Sequence, residues 1–233
     1  MDIAFKAARI GAGEFEIRAD AVLQASQITA LIGPSGAGKS TLLAAIAGFA
    51  PLMAGQLLLG GNDMAARPPA SRPVSLVFQD HNLFEHLSIE ANTALGLGPD
   101  PRLKTPAVRE LVMAALARVG LADKARAMPG ALSGGQRSRA ALARALLRDR
   151  PVLLLDEPFA ALGPGLRHAM LDLVAEIAAE RRLTTILVTH QPDDAMRIAV
   201  QTALVADGIL HTPQKTADLL NNPPPALAAY LGK

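Results

Sequence analysis

Short apolar stretches separated by glycine and proline open the chain, and Asp2 to Ala7, Glu14 to Ala19 and Ile28 to Ile32 each have the length and content of a strand. The third stretch ends in a glycine-rich turn. Thr41 to Ala47, rich in Leu and Ala, then reads as a helix, which predicts the order strand, loop, helix. Gln56 to Leu59 and Val74 to Phe78 are further predicted strands. From Leu87 to Arg126 the texture shifts to helix formers, with Val108, Leu111, Val112, Ala115, Leu116 and Val119 spaced to share one helical face, so this segment is predicted to be a helical insertion. The last third alternates again: a helix over Gly135 to Arg148, an apolar run Val152 to Leu155, a helix over Arg167 to Arg181, and an apolar run Thr185 to Val188. Runs that do not alternate fit parallel strands covered on both faces. Asn221-Asn222-Pro223-Pro224-Pro225 interrupts the tail, leaving Ala226 to Leu231 as a short terminal helix or loose chain.

Composition then removes whole classes. A chain of 233 residues, 50% hydrophobic and 19% charged, can bury a sizeable core in one or two compact units and is not disordered. It has no cysteine, which excludes disulfide scaffolds, thiolate zinc sites and cysteine nucleophiles. The net charge of 23 − 21 = +2 is too small to imply a polyanionic partner. Thr41 to Gly61 is the most membrane-like stretch, but Gly48, Pro51, Gly55 and Gln56 interrupt it, and no transmembrane helix is predicted. The start, Met1 to Lys6, lacks the pattern of a signal peptide, so a place in the cytosol or on the inner face of a membrane is expected.

Chemistry enters at Gly33-Pro34-Ser35-Gly36-Ala37-Gly38-Lys39-Ser40-Thr41, which fits G-x-x-x-x-G-K-[ST] and sits between a buried strand and a helix. Its glycines let consecutive amides curl around phosphate oxygens, and the helix N-terminus adds the positive end of its dipole. Lys39 would reach the β and γ phosphates, and the Ser40 hydroxyl would ligate Mg²⁺. Val152 to Leu155 delivers Asp156 and Glu157 to the carboxyl edge of a strand, where Asp156 suits Mg²⁺ and Glu157 the attacking water, as general base. His190 and Gln79 also follow apolar strands. His190 is placed to contact a γ phosphate, and Gln79 to touch both Mg²⁺ and the water, although either alone is an ordinary surface residue. Leu132-Ser133-Gly134-Gly135-Gln136 opens a helix and makes a second anion site, unless Ser133 is merely an N-cap. Two such helix ends do not easily serve one nucleotide in one chain, so two copies pairing head to tail is the economical hypothesis.

Taken in order, these strings resemble the ATP-binding cassette family: a Walker A loop at Gly33 to Thr41, a Q-loop at Gln79, the LSGGQ signature at Leu132 to Gln136, Walker B ending in Asp156-Glu157, and a switch histidine at His190. The resemblance implies an α/β fold, a P-loop RecA-like core with an antiparallel β edge and an inserted α-helical subdomain, within a single ATPase domain over 1–233. It divides that domain into a core at 1–78 and 132–210, a Q-loop and helical subdomain at 79–131, and a tail at 211–233. It also implies ATP and Mg²⁺ as ligands and a homodimer that closes on ATP. Separate membrane-spanning permease subunits and, indirectly, a periplasmic solute-binding protein complete the implied assembly on the cytoplasmic face of a bacterial inner membrane, with no nucleic acid involved. A narrower resemblance, carried by Arg72 to Leu87 and Ala94-Leu95-Gly96-Leu97-Gly98, is to the ATPases of bacterial thiamine importers.

The chain departs from the family pattern twice. Ala160-Ala161-Leu162-Gly163 ends in glycine where the family usually has Asp, which bears on communication between sites. No aromatic stands where the family stacks one on adenine. Arg9 to Gly13 occupy that neighbourhood, so either base affinity is weak or Arg9 or Ile10 covers the base instead, and Phe15 is expected to be a core strand residue. Three functional classes therefore stand: a motor ATPase of an importer, for thiamine, its phosphates or another small solute; a nucleotide-binding regulatory module that hydrolyses poorly; and a nucleic-acid ATPase prompted by Arg137, Arg139, Arg144, Arg148 and Arg150. Those arginines surround a helix that also buries Leu142 and Leu146, which favours a solvated face over the third class.

Overall fold

The computed structural model describes residues 1–12, 15–80, 82–98 and 105–232; Gly13, Glu14, His81 and the stretch 99–104 of the predicted helical insertion lie outside the described residues. In chain order the elements are β1 (Ile3–Ala12), β2 (Phe15–Leu23), β3 (Ile28–Ile32), α1 (Lys39–Ala47), β4 (Leu52–Leu59), β5 (Asn62–Asp63), β6 (Val74–Val77), α2 (Ile89–Ala94), α3 (Pro106–Arg118), α4 (Gly134–Leu147), β7 (Val152–Asp156), α5 (Pro164–Glu180), β8 (Thr184–Val188), α6 (Pro192–Ile198), β9 (Gln201–Ala206), β10 (Ile209–Leu210), β11 (Gln214–Lys215), α7 (Thr216–Asn221) and α8 (Pro225–Leu231). The chain divides into two compact units, one of Met1–Val74, Pro151–Glu157 and Leu171–Lys233, the other of Ser75–Arg150 and Pro158–Met170.

In the first unit the strands follow the order β5-β4-β1-β2-β10-β9-β3-β8-β7, with β11 beside β9. Strands β9, β3, β8 and β7 run parallel, in register Leu31↔Ala203, Leu31↔Val188 and Asp156↔Val188. Their residues explain the choice: Ile28–Ile32, Val152–Asp156 and Thr184–Val188 are buried at every position, as strands covered on both faces must be. Strands β5, β4, β1 and β2 pair antiparallel and form the edge expected from the resemblance. Here burial alternates instead, with Ile17, Ala19, Ala21 and Leu23 of β2 turned inward. Strand β1 runs past the predicted end at Ala7 because the chain bulges there: Ala7 takes φ +44°, and the pairing with β2 shifts between Phe5 and Ala8. The bulge puts Lys6 and Ala7 both outward, which in the sequence looks like a strand terminus.

Helix α1 is closed at its far end by Gly48, whose left-handed φ of +92° lets its amide reach back to the Ala44 and Ala45 carbonyls. Arg72 finishes that end. Its buried guanidinium donates to the carbonyls of Ala45 (2.6 Å), Ile46 (3.0 Å), Met64 (2.7 Å) and Arg67 (2.9 Å). A Cβ on Gly48 would stand 2.7 Å from Arg72 Nε, so the glycine is required by space as well as by φ.

The second unit is built on α2, α3 and α4. Asn92 is fully buried and locks the turn before α2, accepting from the Phe84 amide at 2.7 Å while its own amide nitrogen donates to Phe84, Leu87 and Ser88 carbonyls. Gly96 packs so closely on α4 that a Cβ would overlap the Arg144 carbonyl. Of the predicted α3 face, Val112, Leu116 and Val119 are buried, whereas Leu111 is 54% exposed. The stripe is narrower than expected: Val112, Leu116 and Val119 follow the i, i+4, i+7 line, and Leu111 falls on its margin. Val108 and Ala115 are half-buried.

Candidate active site

The glycine-rich turn joins β3 to α1 at the carboxyl end of the parallel strands, where α/β sheets place ligands. Gly33 follows β3 directly with φ +148°, against β9, where a Cβ would overlap the Val205 carbonyl. Gly36 (φ +78°) and Gly38 (φ +99°) complete the turn, with Pro34, Ser35 and Gly36 exposed and Ala37 half-buried. Gly38 is the N-cap of α1 and brings no side chain to it, so the first-turn amides of Lys39, Ser40 and Thr41 face outward with no intrahelical acceptor. An uncapped helix start in a glycine loop is an anion cradle.

Lys39 is buried and its Nζ donates to the Gly33 and Pro34 carbonyls, both at 2.8 Å, holding the ammonium over the turn. Burial pushes its pKa down, against the pull of Glu157 and Asp156. Ser40 Oγ donates to Asp156 Oδ1 at 3.1 Å, joining the start of α1 to the end of β7. Asp156 is 8% exposed, and burial first, then Glu157, pushes its carboxyl up, while Ser40, Lys39 and His190 pull it down. A hydroxyl and a carboxylate side by side are hard oxygen donors of the kind Mg²⁺ takes along with phosphate oxygens. Among the described residues no group of three or more His, Cys, Asp and Glu could hold a metal alone.

Glu157 comes next and breaks the strand geometry. Its φ is +47°, an uncommon left-handed conformation for a side chain of this size, and its amide donates to the Val188 carbonyl at 3.1 Å. That turn aims the carboxylate at His190, which lies two residues past β8, and Glu157 Oε1 pairs with His190 Nε2. The other face of the imidazole meets Tyr230 of α8: the phenol oxygen is 3.4 Å from Nδ1 and donates to the His190 carbonyl at 3.2 Å. Nothing in the sequence pattern singled out Tyr230; the one signal was that it is the only tyrosine of the chain.

The structure thus brings the loop 33–41, Asp156, Glu157 and His190 together in the first unit. Gln79 and Ser133 belong to the second. Gln79 is exposed in the turn after β6. Ser133 is exposed and caps α4 in a capping box, its Oγ accepting from the Gln136 amide at 3.3 Å while its own amide donates to Gln136 Oε1 at 2.9 Å. Gly134 is open apart from Ala161 Cβ, whereas a Cβ on Gly135 would overlap Leu162. The glycine pair therefore does two jobs: Gly134 leaves the helix tip bare, and Gly135 admits the 160–162 segment.

Phe15 is a correction. It is 41% exposed, and its Cζ would stand 2.9 Å from a Cβ on Gly38. It shares the inward parity of Ile17, but it opens β2 beyond the reach of the core and lies over the phosphate turn instead. Ile10 is fully buried and so is not free to cover a base, and Arg9, exposed, pairs with Glu16.

The family described as ABC transporter matches residues 18–160. Among curated proteins, the thiamine import ATP-binding protein ThiQ of Cereibacter sphaeroides is 57% identical over 220 residues, covering 94% of this chain and 95% of that one. That of a Ruegeria species is 55% identical with the same coverage. Among solved structures, a dimeric ATP-binding cassette in a post-hydrolysis state bound to ADP and Pi superposes with a TM-score of 0.81 at 25% identity, covering 93% of this chain and 99% of that one.

Proposed function

The chain belongs to the ABC transporter family, and from that we propose that it is the ATP-hydrolysing subunit of an importer that carries thiamine. The observation that carries the hydrolytic part is the single constellation in the first unit: an uncapped helix start, a buried ammonium above it, and two successive carboxylates, of which the second faces a histidine. The amides of the turn and of α1 bind the phosphates, and Lys39 adds a point charge to them. Ser40 and Asp156 are the donors that would hold Mg²⁺, which would offset charge on the phosphates; Gln79, in the second unit, is the further donor expected from the sequence. Glu157 takes the proton of the water that attacks the γ phosphorus, and ADP leaves with the bridging oxygen. His190, now paired with Glu157, exchanges that partner for the γ phosphate when ATP arrives. Phe15 supplies the ring on which the base rests.

Ser133 and the bare tip of α4 serve a second copy of the chain, so that each ATP lies between one phosphate turn and the partner's α4. Among the described residues no helix is long and apolar enough to cross a membrane. We place the membrane passage in separate permease subunits, the solute-binding step in a periplasmic protein, and this chain on the cytoplasmic face of the inner membrane. High identity over nearly the whole length to proteins named for thiamine import supports the cargo; no residue here is asked to touch the vitamin.

The test measures phosphate release by the purified chain beside Glu157→Gln, and uptake of labelled thiamine by cells lacking the chain. Loss of the general base is expected to slow hydrolysis by roughly 10²- to 10⁴-fold, and wild type but not the variant is expected to restore uptake. Equal hydrolysis by both would remove the motor reading and leave the nucleotide-binding module. Normal hydrolysis without rescue of thiamine uptake would remove the cargo.

A further inference from the structure

We propose that Tyr230 is a positioning residue for His190, through which the C-terminal helix sets the orientation of the imidazole in the active site. Helix α8 is specified locally. Pro224 is extended at the N-cap, Pro225 takes the first helical position, and Gly232 closes the end in the left-handed region with φ +68°. Leu227 is fully buried and anchors the helix. Three residues on, along the same face, Tyr230 is half-buried against His190.

His190 stands in a bend after β8, outside any regular element and with an exposed side chain, so its own segment gives the ring little hold. Tyr230 supplies it. The phenol proton is committed to the His190 carbonyl at 3.2 Å, and the phenol oxygen stands 3.4 Å from Nδ1, from which it accepts when both ring nitrogens carry protons, the form in which Nε2 can donate to Glu157. Backbone and ring of one residue are thereby tied to one hydroxyl, and Nε2 is left to face Glu157. Burial and the Glu157 charge push the Tyr230 phenol up, so it keeps the proton this arrangement needs.

The inference rests on the hydrolytic roles proposed for Glu157 and His190. It is tested with Tyr230→Phe, which keeps the ring and removes only the hydroxyl. Two readouts are taken on the full chain: kcat and KM for MgATP, and the ¹⁵N resonance of His190 Nδ1 in histidine-labelled protein, identified by its loss in His190→Ala. The expected result is a displaced Nδ1 resonance together with a kcat lowered roughly 3- to 10-fold, as for the loss of one positioning hydrogen bond, with KM changed less than kcat. An unmoved resonance, an unchanged or raised kcat, or a KM that rises as much as kcat falls each overturns it. A wild-type chain with no turnover would instead remove the hydrolytic reading, and this inference with it.

Discussion

At Glu157 the fold and the chemistry pull in different directions. The residue holds φ +47°, where a non-glycine residue is strained by about 1 kcal/mol. Glu157→Gly is therefore expected to raise unfolding free energy by roughly that amount in urea titration while abolishing hydrolysis, whereas Glu157→Gln leaves stability near wild type. Asp156 carries a related penalty. Its folded carboxyl lies above the ordinary 3.8 because burial disfavours the charge. As pH rises through that value the unfolded chain gives up its proton first, so the folded state binds more protons and loses stability. Asp156→Asn cannot ionise. It is expected to be more stable than wild type at neutral pH, with the gain shrinking toward pH 4 and below, and inactive throughout; a thermal melt series against pH reads this. Lys39, pushed down by burial, adds a penalty of the same origin, and bound phosphate would relieve it. The residue types of the site were legible because phosphate chemistry dictates them at fixed spacing. Tyr230 and Phe15 were not, since each reaches the site from where a strand or helix ends, and the sequence carries no spacing for that.

Elements were most legible where burial is uniform: β3, β7 and β8 are buried at every position and were predicted to within a residue or so of their ends. Legibility failed where a local device interrupts the period. The bulge at Ala7 hid the second half of β1, and the two-residue strands β10 and β11 are too short to show any alternation. The close of α1 was also invisible, because Arg72 reaches it from twenty-six residues beyond Ile46. That arginine makes a specific prediction at this scale. Its pKa is lowered by burial, and its donors satisfy four carbonyls, two of them at the negative end of α1. Arg72→Ala removes the donors to all four, leaving Ala45 to the Gly48 amide and Met64 to the Arg67 amide alone, and is expected to cost about 2–4 kcal/mol in chemical denaturation. A loss below 0.5 kcal/mol, typical of surface positions, would show that the cap is dispensable.

For the whole molecule the question is why one chain carries two helix ends fit for anions, the start of α1 and the start of α4. The first has no side-chain cap. The second is already satisfied: Ser133 and Gln136 complete a capping box, so α4 needs no ligand to be stable. An exposed serine whose hydroxyl accepts from Gln136 still has its own proton to donate, and Gly134 beside it leaves room for a phosphate. This separation of stability from binding yields opposite outcomes for two variants. Ser133→Arg removes the donor and fills the tip with a long cation, yet leaves the phosphate turn intact. It is expected to bind ATP within a fewfold of wild type but to remain monomeric in light scattering at any ATP concentration. Glu157→Gln keeps both surfaces and blocks turnover, so it is expected to accumulate as an ATP-loaded dimer that dissolves when nucleotide is removed. A Ser133→Arg chain that still dimerises on ATP, or a Glu157→Gln dimer equally populated without it, would mean that α4 does not close on a second copy's nucleotide. Gly163 sharpens the comparison, because open space surrounds the position where a Cβ would stand and its carbonyl accepts from the Arg167 amide at 2.9 Å, as an N-cap of α5 does. The fold would therefore accept Asp there, and Gly163→Asp combined with Glu157→Gln tests whether that carboxylate tightens the same dimer.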